Sequence, residues 1–565
     1  MVLFVGFAVV FGDNTGADNT DNDQTVSVRI KNGIINGLRE TTVDGRELNV
    51  YRGIPYAEPP VGDLRFRKPL PRNQWSEPLN AFNYSKACYQ SIGFVKSQQN
   101  WSDDDFGEDC LYLNIWSPVT ADDESPKAVM FWIHGGALMV GSAHENHYEG
   151  HVLSGLGDVV FVSVNYRVFG FLYSGTPEAP GNMGLWDQAL ALEWVNDNIR
   201  YFGGDPERIT IFGESAGSWA ASLHVLSPVS RHLFHNAILS SGAYTNNLID
   251  APNDAYIEMW LLGAELSGCG TNETQFTEEV MQCMRALDVD KLADIVSMPQ
   301  LNSREISLFF VVVVDGEFLP KMPAEMLADG DYKRNVNLMV SNVEDEGSFI
   351  LQMMYRFRYF HATNPYNYTY AEAVDELTLI APKLSIAYEI NGEEVAKLYY
   401  TGLSDANDYH LLRRTMGIAV GDYYFTCPTV EFAHQVFRHS DFKANVYQYV
   451  FNSKLRDNFL CSKWMGVCHG NDLAPMFGRP LADTDQYSDR EVQISRQMVD
   501  FLTEFAKTGA PSAQNGTHWQ KYFAIDDNIV APFYEITIEP KAVTNFGVGF
   551  KMHECQHLWR KYLIS

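Results

Sequence analysis

The chain has 565 residues, 46% apolar and 20% charged, enough to build a large core and too apolar for global disorder. Acidic residues outnumber basic ones 71 to 42, a net charge of −29, which argues against a nucleic-acid surface of clustered Lys and Arg. The excess acid either keeps the protein in solution or steers cationic ligands toward an acidic mouth, and charge count does not separate the two.

Met1 to Gly12 holds an apolar run, Val2 to Phe11, too short to span a bilayer. It resembles a signal peptide, although the usual Lys or Arg ahead of the run is missing. Asp13 to Gln24 is a polar segment rich in Asn, Asp and Thr, a composition that favours disorder. From Val26 to Leu38, with Asn32-Gly33 inside, the pattern predicts an antiparallel hairpin. Short apolar runs then recur at Val129 to Ile133, Val159 to Val164, Ile209 to Phe212, Ile238 to Leu239, Leu338 to Val340 and Val446 to Phe451. Continuous rather than alternating runs read as strands buried on both faces. Leu185, Ala189, Leu192, Val195 and Ile199 recur at helical spacing. Strand and helix in alternation predict an α/β fold, a mostly parallel sheet covered on both sides. Residues 350 to 440 are rich in helix formers and read as a helical insertion flanking the functional site. No linker divides residues 25–565, which read as one domain, and no run of 18 apolar residues marks a transmembrane segment.

Gly213-Glu214-Ser215-Ala216-Gly217 is a Gly-x-Ser-x-Gly motif, weak alone but preceded by the strand Ile209 to Phe212 and followed by a helix predicted over Ser218 to Ser227. That is the setting of a nucleophile elbow, with the serine presented above the sheet at a helix N-terminus. A developing oxyanion also needs donors. His134-Gly135-Gly136-Ala137 follows a strand, and its backbone N–H groups, with that of Ala216, form a candidate hole worth about 10²–10³ in rate per donor. A serine hydroxyl needs a base. In such folds the order is serine, acid, histidine, which leaves His361, His410, His434, His439, His469, His518, His553 and His557. His469 sits in a small-residue loop after a strand, where catalytic groups gather. Glu346 follows the strand Leu338 to Val340 as a candidate acid, with Asp345 and Glu344 competing.

Glu108 to Asn114, Gly53 to Pro60, Asn165-Tyr166-Arg167, Phe202 to Pro206 and the elbow itself, all in order, resemble the type-B carboxylesterase and cholinesterase family from about Val26 to Leu563. The resemblance implies an α/β-hydrolase fold and a serine carboxylesterase that needs no metal or organic cofactor. It assigns Ser215 as nucleophile, Glu346 as acid and His469 as base, with Gly136, Ala137 and Ala216 as oxyanion donors; Ala137 stands where many members have glycine. It also implies bridges Cys88–Cys110, Cys269–Cys283 and Cys427–Cys555, each worth about 3–5 kcal/mol in the chain-entropy account, and ion pairs Arg65–Glu108 and Arg167–Asp187. Cys461 and Cys468 are extra, and a fourth bridge between them would brace the loop holding His469. The even count of eight cysteines, with sequons at Asn83, Asn100, Asn272, Asn367 and Asn515, fits a secreted, oxidised glycoprotein.

On the substrate side the resemblance places Phe349 where cholinesterases carry an aromatic, and Trp101 one residue short of their choline-site tryptophan. Leu248, Ile306, Leu308 and Ile350 fall at acyl-pocket positions that are aromatic in acetylcholinesterases. Smaller aliphatic walls leave more acyl room, so a broad carboxylesterase of small to medium esters is expected. A choline esterase is the alternative. A non-catalytic adhesion protein of the same fold is a third reading, against which all three triad positions are filled. The small-molecule ester is the expected partner, and a homodimer stays open.

Overall fold

The computed structural model describes residues 24–90, 101–119, 125–168, 171–249, 252–270, 272–297, 312–355, 360, 365–385, 388–456, 461–512, 519–537 and 546–564. The apolar start at 1–12, the polar segment at 13–23, Ile306 and Leu308, and the sequons at Asn100 and Asn515 lie outside these residues.

The six apolar runs from Val129 onward each fall in a strand of one thirteen-stranded sheet. The strands are β1 (Thr25–Ile30), β2 (Gly33–Thr41), β3 (Glu47–Pro55), β4 (Tyr112–Pro118), β5 (Lys127–Ile133), β6 (Val160–Val164), β7 (Gly204–Glu214), β8 (Asn236–Ser240), β9 (Asn337–Val343), β10 (Val446–Asn452), β11 (Pro532–Thr537) and β12 (Phe546–Val548). They lie in the order β1-β2-β3-β4-β6-β5-β7-β8-β9-β10-β11-β12, and the short strand Leu79–Asn80 joins β2. From β6 to β11 all neighbours are parallel; the antiparallel pairs are confined to the two flanks. The opening hairpin closes with Ile30 opposite Gly33, so Lys31 and Asn32 form its two-residue loop.

Burial on both faces explains the unbroken apolar runs. Along β5, Val129, Phe131 and Ile133 enter one core, while Met130 and Trp132 enter the other. Helix α1 (Met183–Asn198) and helix α2 (Ala216–Leu226) cover the first face. The long helix Asp489–Thr508 covers the second through Met498, Phe501, Leu502 and Phe505. The helical insertion expected over 350–440 is present: α3 (Gly347–Tyr355), Tyr370–Ile380, Gly392–Tyr400 and α4 (Tyr409–Gly421) share a third core with Trp464, Met465 and the C-terminal turn, while α5 (Cys427–His439) packs Phe432, Val436 and Phe437 into the first core. Strands buried on both faces with helices over each make this an α/β-hydrolase fold. Among the described residues no helix is long and apolar enough to cross a membrane.

All four disulfides form: Cys88–Cys110, Cys269–Cys283, Cys427–Cys555 and Cys461–Cys468. Both expected ion pairs form as well, Arg65 on Glu108 and Arg167 on the buried Asp187. Asn83, Asn272 and Asn367 are exposed, as a glycan acceptor must be.

Candidate active site

The parallel strands deliver the candidate residues to one edge of the sheet. Ser215 follows the last residue of β7 and caps α2, with φ 59° and ψ −124°, a backbone that a side chain rarely tolerates outside a forced turn. The glycines around it are required by contact. A Cβ on Gly213 would stand 2.3 Å from the carbonyl carbon of Gly217, and one on Gly217 would stand 2.0 Å from the Ile133 oxygen. The elbow therefore packs directly on the end of β5 and the loop that leaves it.

That loop carries the candidate oxyanion donors. A Cβ on Gly135 would lie 3.3 Å from Cβ of Ser215, and Gly136 has φ +103° with the Val140 oxygen blocking any side chain. Ala137 takes φ 56°, the left-handed conformation expected of glycine there. Among the described residues no acceptor takes the N–H of Gly136 or Ala137.

The candidate acid and base follow β9 and β10. His469 Nδ1 lies 2.6 Å from Oε2 of Glu346, and both side chains are buried. Glu346 Oε1 accepts from the Val343 N–H at 3.0 Å and from Asn342 Nδ2 at 3.1 Å, which fixes the carboxylate with one oxygen toward the imidazole. Of the competing acids, Asp345 is held by Arg414 and the Val467 N–H.

The other imidazole nitrogen, Nε2, stands 3.2 Å from Oε1 of Glu214, the residue immediately before Ser215. Nε2 and Glu214 Oε1 are unaligned, and neither makes a hydrogen bond among the described residues, the Ser215 hydroxyl included. Such bonds commonly close only around substrate. Burial acts to lower the His469 pKa, but Glu214 and Glu346 reverse it and push it up to about 9. Burial pushes Glu214 up to about 8 against the pull of His469. Asp472, three residues beyond His469 and fully buried, has neither carboxylate oxygen bonded among the described residues and is pushed up by burial to about 7. Three acids thus surround one imidazole.

Sequence reasoning alone does not reach two neighbours of the base. Asp472 was visible only as an acid three residues after His469. The Phe425 ring lies 4.2 Å from the imidazole and stacks on Trp219 at 5.8 Å; it comes from a π-helical segment, Asp422–Thr426, and has no local sequence signal. Trp101 packs on Phe106 at 5.3 Å and on His144, beyond the oxyanion loop, at 5.5 Å. Leu248 packs against the first core, Phe349 against the helical core, and Ile350 within it.

The profile of the Carboxylesterase family matches residues 24–556. The acetylcholinesterase of Bungarus fasciatus is 36% identical over 511 residues, covering 88% of this chain and 81% of that protein. The acetylcholinesterase of Leptinotarsa decemlineata is 34% identical over 522 residues, covering 88% and 80%. With the sheet order, the elbow and the histidine–glutamate pair already in place, the chain belongs to the Carboxylesterase family and is a carboxylic ester hydrolase.

Proposed function

We propose that the chain hydrolyses small to medium carboxylic esters through an acyl-enzyme on Ser215, with broad acyl tolerance. The observation that carries this reading is the pairing of His469 Nδ1 with Glu346, which leaves Nε2 without a hydrogen bond among the described residues, beside the elbow. Neutral His469 takes the Ser215 proton through Nε2 as the hydroxyl attacks the ester carbonyl. Glu346 holds the tautomer with the proton on Nδ1 and stabilises the imidazolium that forms. The tetrahedral oxyanion is held by the N–H groups of Gly136, Ala137 and Ala216. His469 returns its proton to the leaving alcohol, then activates the water that cleaves the acyl-enzyme. The four disulfides and the exposed sequons at Asn83, Asn272 and Asn367 support an extracellular location.

A choline-ester preference is the second reading, supported by the two acetylcholinesterase relatives and by Trp101, whose face could attract a quaternary ammonium with about 0.5–2 kcal/mol. Leu248 and Ile350 in place of aromatic walls favour the broader reading, because one methylene of acyl length is worth only about 1–3 kcal/mol. Hydrolysis of p-nitrophenyl butyrate and of acetylthiocholine decides between them; a kcat/KM strongly favouring acetylthiocholine overturns the broad reading. Organophosphate labelling with peptide mapping tests the nucleophile, and neither turnover nor an adduct would indicate a non-catalytic binding protein.

A further inference from the structure

The loop that presents His469 is fastened to the acid's strand through a residue that plays no part in the triad. Asp345, next to Glu346 and fully buried, donates its N–H to the Val467 oxygen at 3.0 Å. Its Oδ2 accepts the Val467 N–H at 2.9 Å, and it pairs with Cys468 in a parallel bridge. The carboxylate is in turn gripped by the guanidinium of Arg414, Nε at 2.9 Å and Nη2 at 2.7 Å. Gly466, at φ +72°, carries the loop straight over this pair: a Cβ there would stand 2.0 Å from Asp345 Oδ2 and 2.8 Å from Arg414 Nε.

The helix that supplies Arg414 touches the site twice more. A Cβ on Gly421 of α4 would stand 2.7 Å from Cβ of Glu346, and one on Gly347 would meet the Gly417 oxygen at 2.1 Å, so α4 lies directly against the acid's segment. Its π-helical continuation brings Phe425 onto the His469 ring. One rigid element therefore contacts the acid's segment, the base and the link between them.

We propose that Arg414 is a positioning residue for His469, acting through Asp345 to hold the imidazole in register with Glu346 and Ser215. This rests on the triad reading given above. A buried carboxylate stays in place only while it is paired, and removing one partner leaves an uncompensated charge that the surroundings must move to relieve. The groups free to move are the Val467 peptide and, two residues on, His469. A purely structural ion pair would lower stability and leave turnover alone; a positioning pair lowers turnover in protein that is still folded.

The test compares Arg414→Met, Arg414→Lys and His469→Ala with the parent on p-nitrophenyl butyrate, each rate referred to folded protein measured by thermal unfolding. Arg414→Met is expected to lower kcat about 10–100-fold with KM within about threefold, the signature of a misplaced catalytic group. Arg414→Lys keeps the charge but loses the two-pronged grip, and is expected to recover part of that loss, leaving kcat about 3–10-fold below the parent. Parental kcat in folded Arg414→Met overturns the proposal; should that variant not fold, parental kcat in Arg414→Lys overturns it. If His469→Ala retains turnover, the triad reading fails. If His469→Ala is dead while both Arg414 variants turn over normally, the positioning proposal alone fails.

Discussion

Two histidines in this chain each stand between two carboxylates. His469 has Glu346 at 2.6 Å and Glu214 at 3.2 Å; His151 has Glu40 at 2.8 Å and Glu149 at 2.9 Å. Burial acts to lower both pKa values, and in both the flanking acids win, pushing the imidazole up to about 9. What differs is how the acids are completed. Around His151 every partner has a further partner: Arg52 forks onto Glu40, Tyr84 donates to Glu149 at 2.6 Å, and the Arg52 guanidinium lies over the Tyr84 ring. Around His469, Nε2, Glu214 Oε1 and both oxygens of Asp472 make no hydrogen bond among the described residues, and the adjoining Ser215 has a strained backbone. A raised imidazole pKa is common to a closed electrostatic staple and to a site that is open for chemistry. Unspent hydrogen-bonding capacity beside a strained nucleophile separates them.

The two histidines should part most sharply at the proposed triad. Ser215→Ala and His469→Ala should each lower kcat/KM on p-nitrophenyl butyrate by about 10⁴-fold or more, with unfolding temperatures near the parent's. Residual activity within about tenfold of the parent would put His469 in the same class as His151. The second break is mechanical. Cys461→Ser with Cys468→Ser removes a bridge of seven-residue separation whose second cysteine adjoins His469, and should lower kcat about tenfold while costing about 2 kcal/mol of stability. Denaturant unfolding and steady-state kinetics on the same samples check both.

The third concerns the staple itself. His151→Gln should destabilise the fold by about 1–3 kcal/mol, the range for charge-assisted hydrogen bonds, and leave kcat within about twofold. The sign of its pH dependence follows from the raised pKa. The His151 contribution is complete below the ordinary value near 6.5 and is lost as pH rises through about 9. The gap in unfolding temperature between parent and His151→Gln should therefore be widest near pH 6 and close above pH 9. A gap that widens with pH would contradict the staple.

The parallel core was legible because strands buried on both faces leave unbroken apolar runs, and the elbow because Gly213 and Gly217 are demanded by contacts with β5 and its loop. Glu346 was not separable from Asp345 by sequence chemistry. Both are buried acids after the same strand, and only the partners (Arg414 for one, His469 for the other) tell them apart. Phe425 was illegible for a related reason: a π-helical turn shifts which side chain faces the site, and apolar periodicity carries no mark of that shift. His151 and His469 look alike in composition, each with acids nearby. Their difference lies in hydrogen bonds to residues tens to hundreds of positions away.

The smallest expected effect concerns the acids themselves. Among the described residues Glu214 has no counterpart to the Arg52 that completes Glu40, and its charge, with Glu346, raises the pKa of His469. Glu214→Gln keeps the volume and removes the charge. A general base acts only when neutral, so on the proposed mechanism kcat/KM rises with pH through the His469 pKa. Removing an acid that raises this pKa should move the midpoint of the rise down by about one pH unit, with the plateau within about threefold of the parent. Glu40→Gln, which strips an acid from His151, should leave the midpoint in place. A midpoint that stays fixed in Glu214→Gln would mean that Glu214 is as spent as Glu40, and that the open capacity around His469 resides in Asp472 alone.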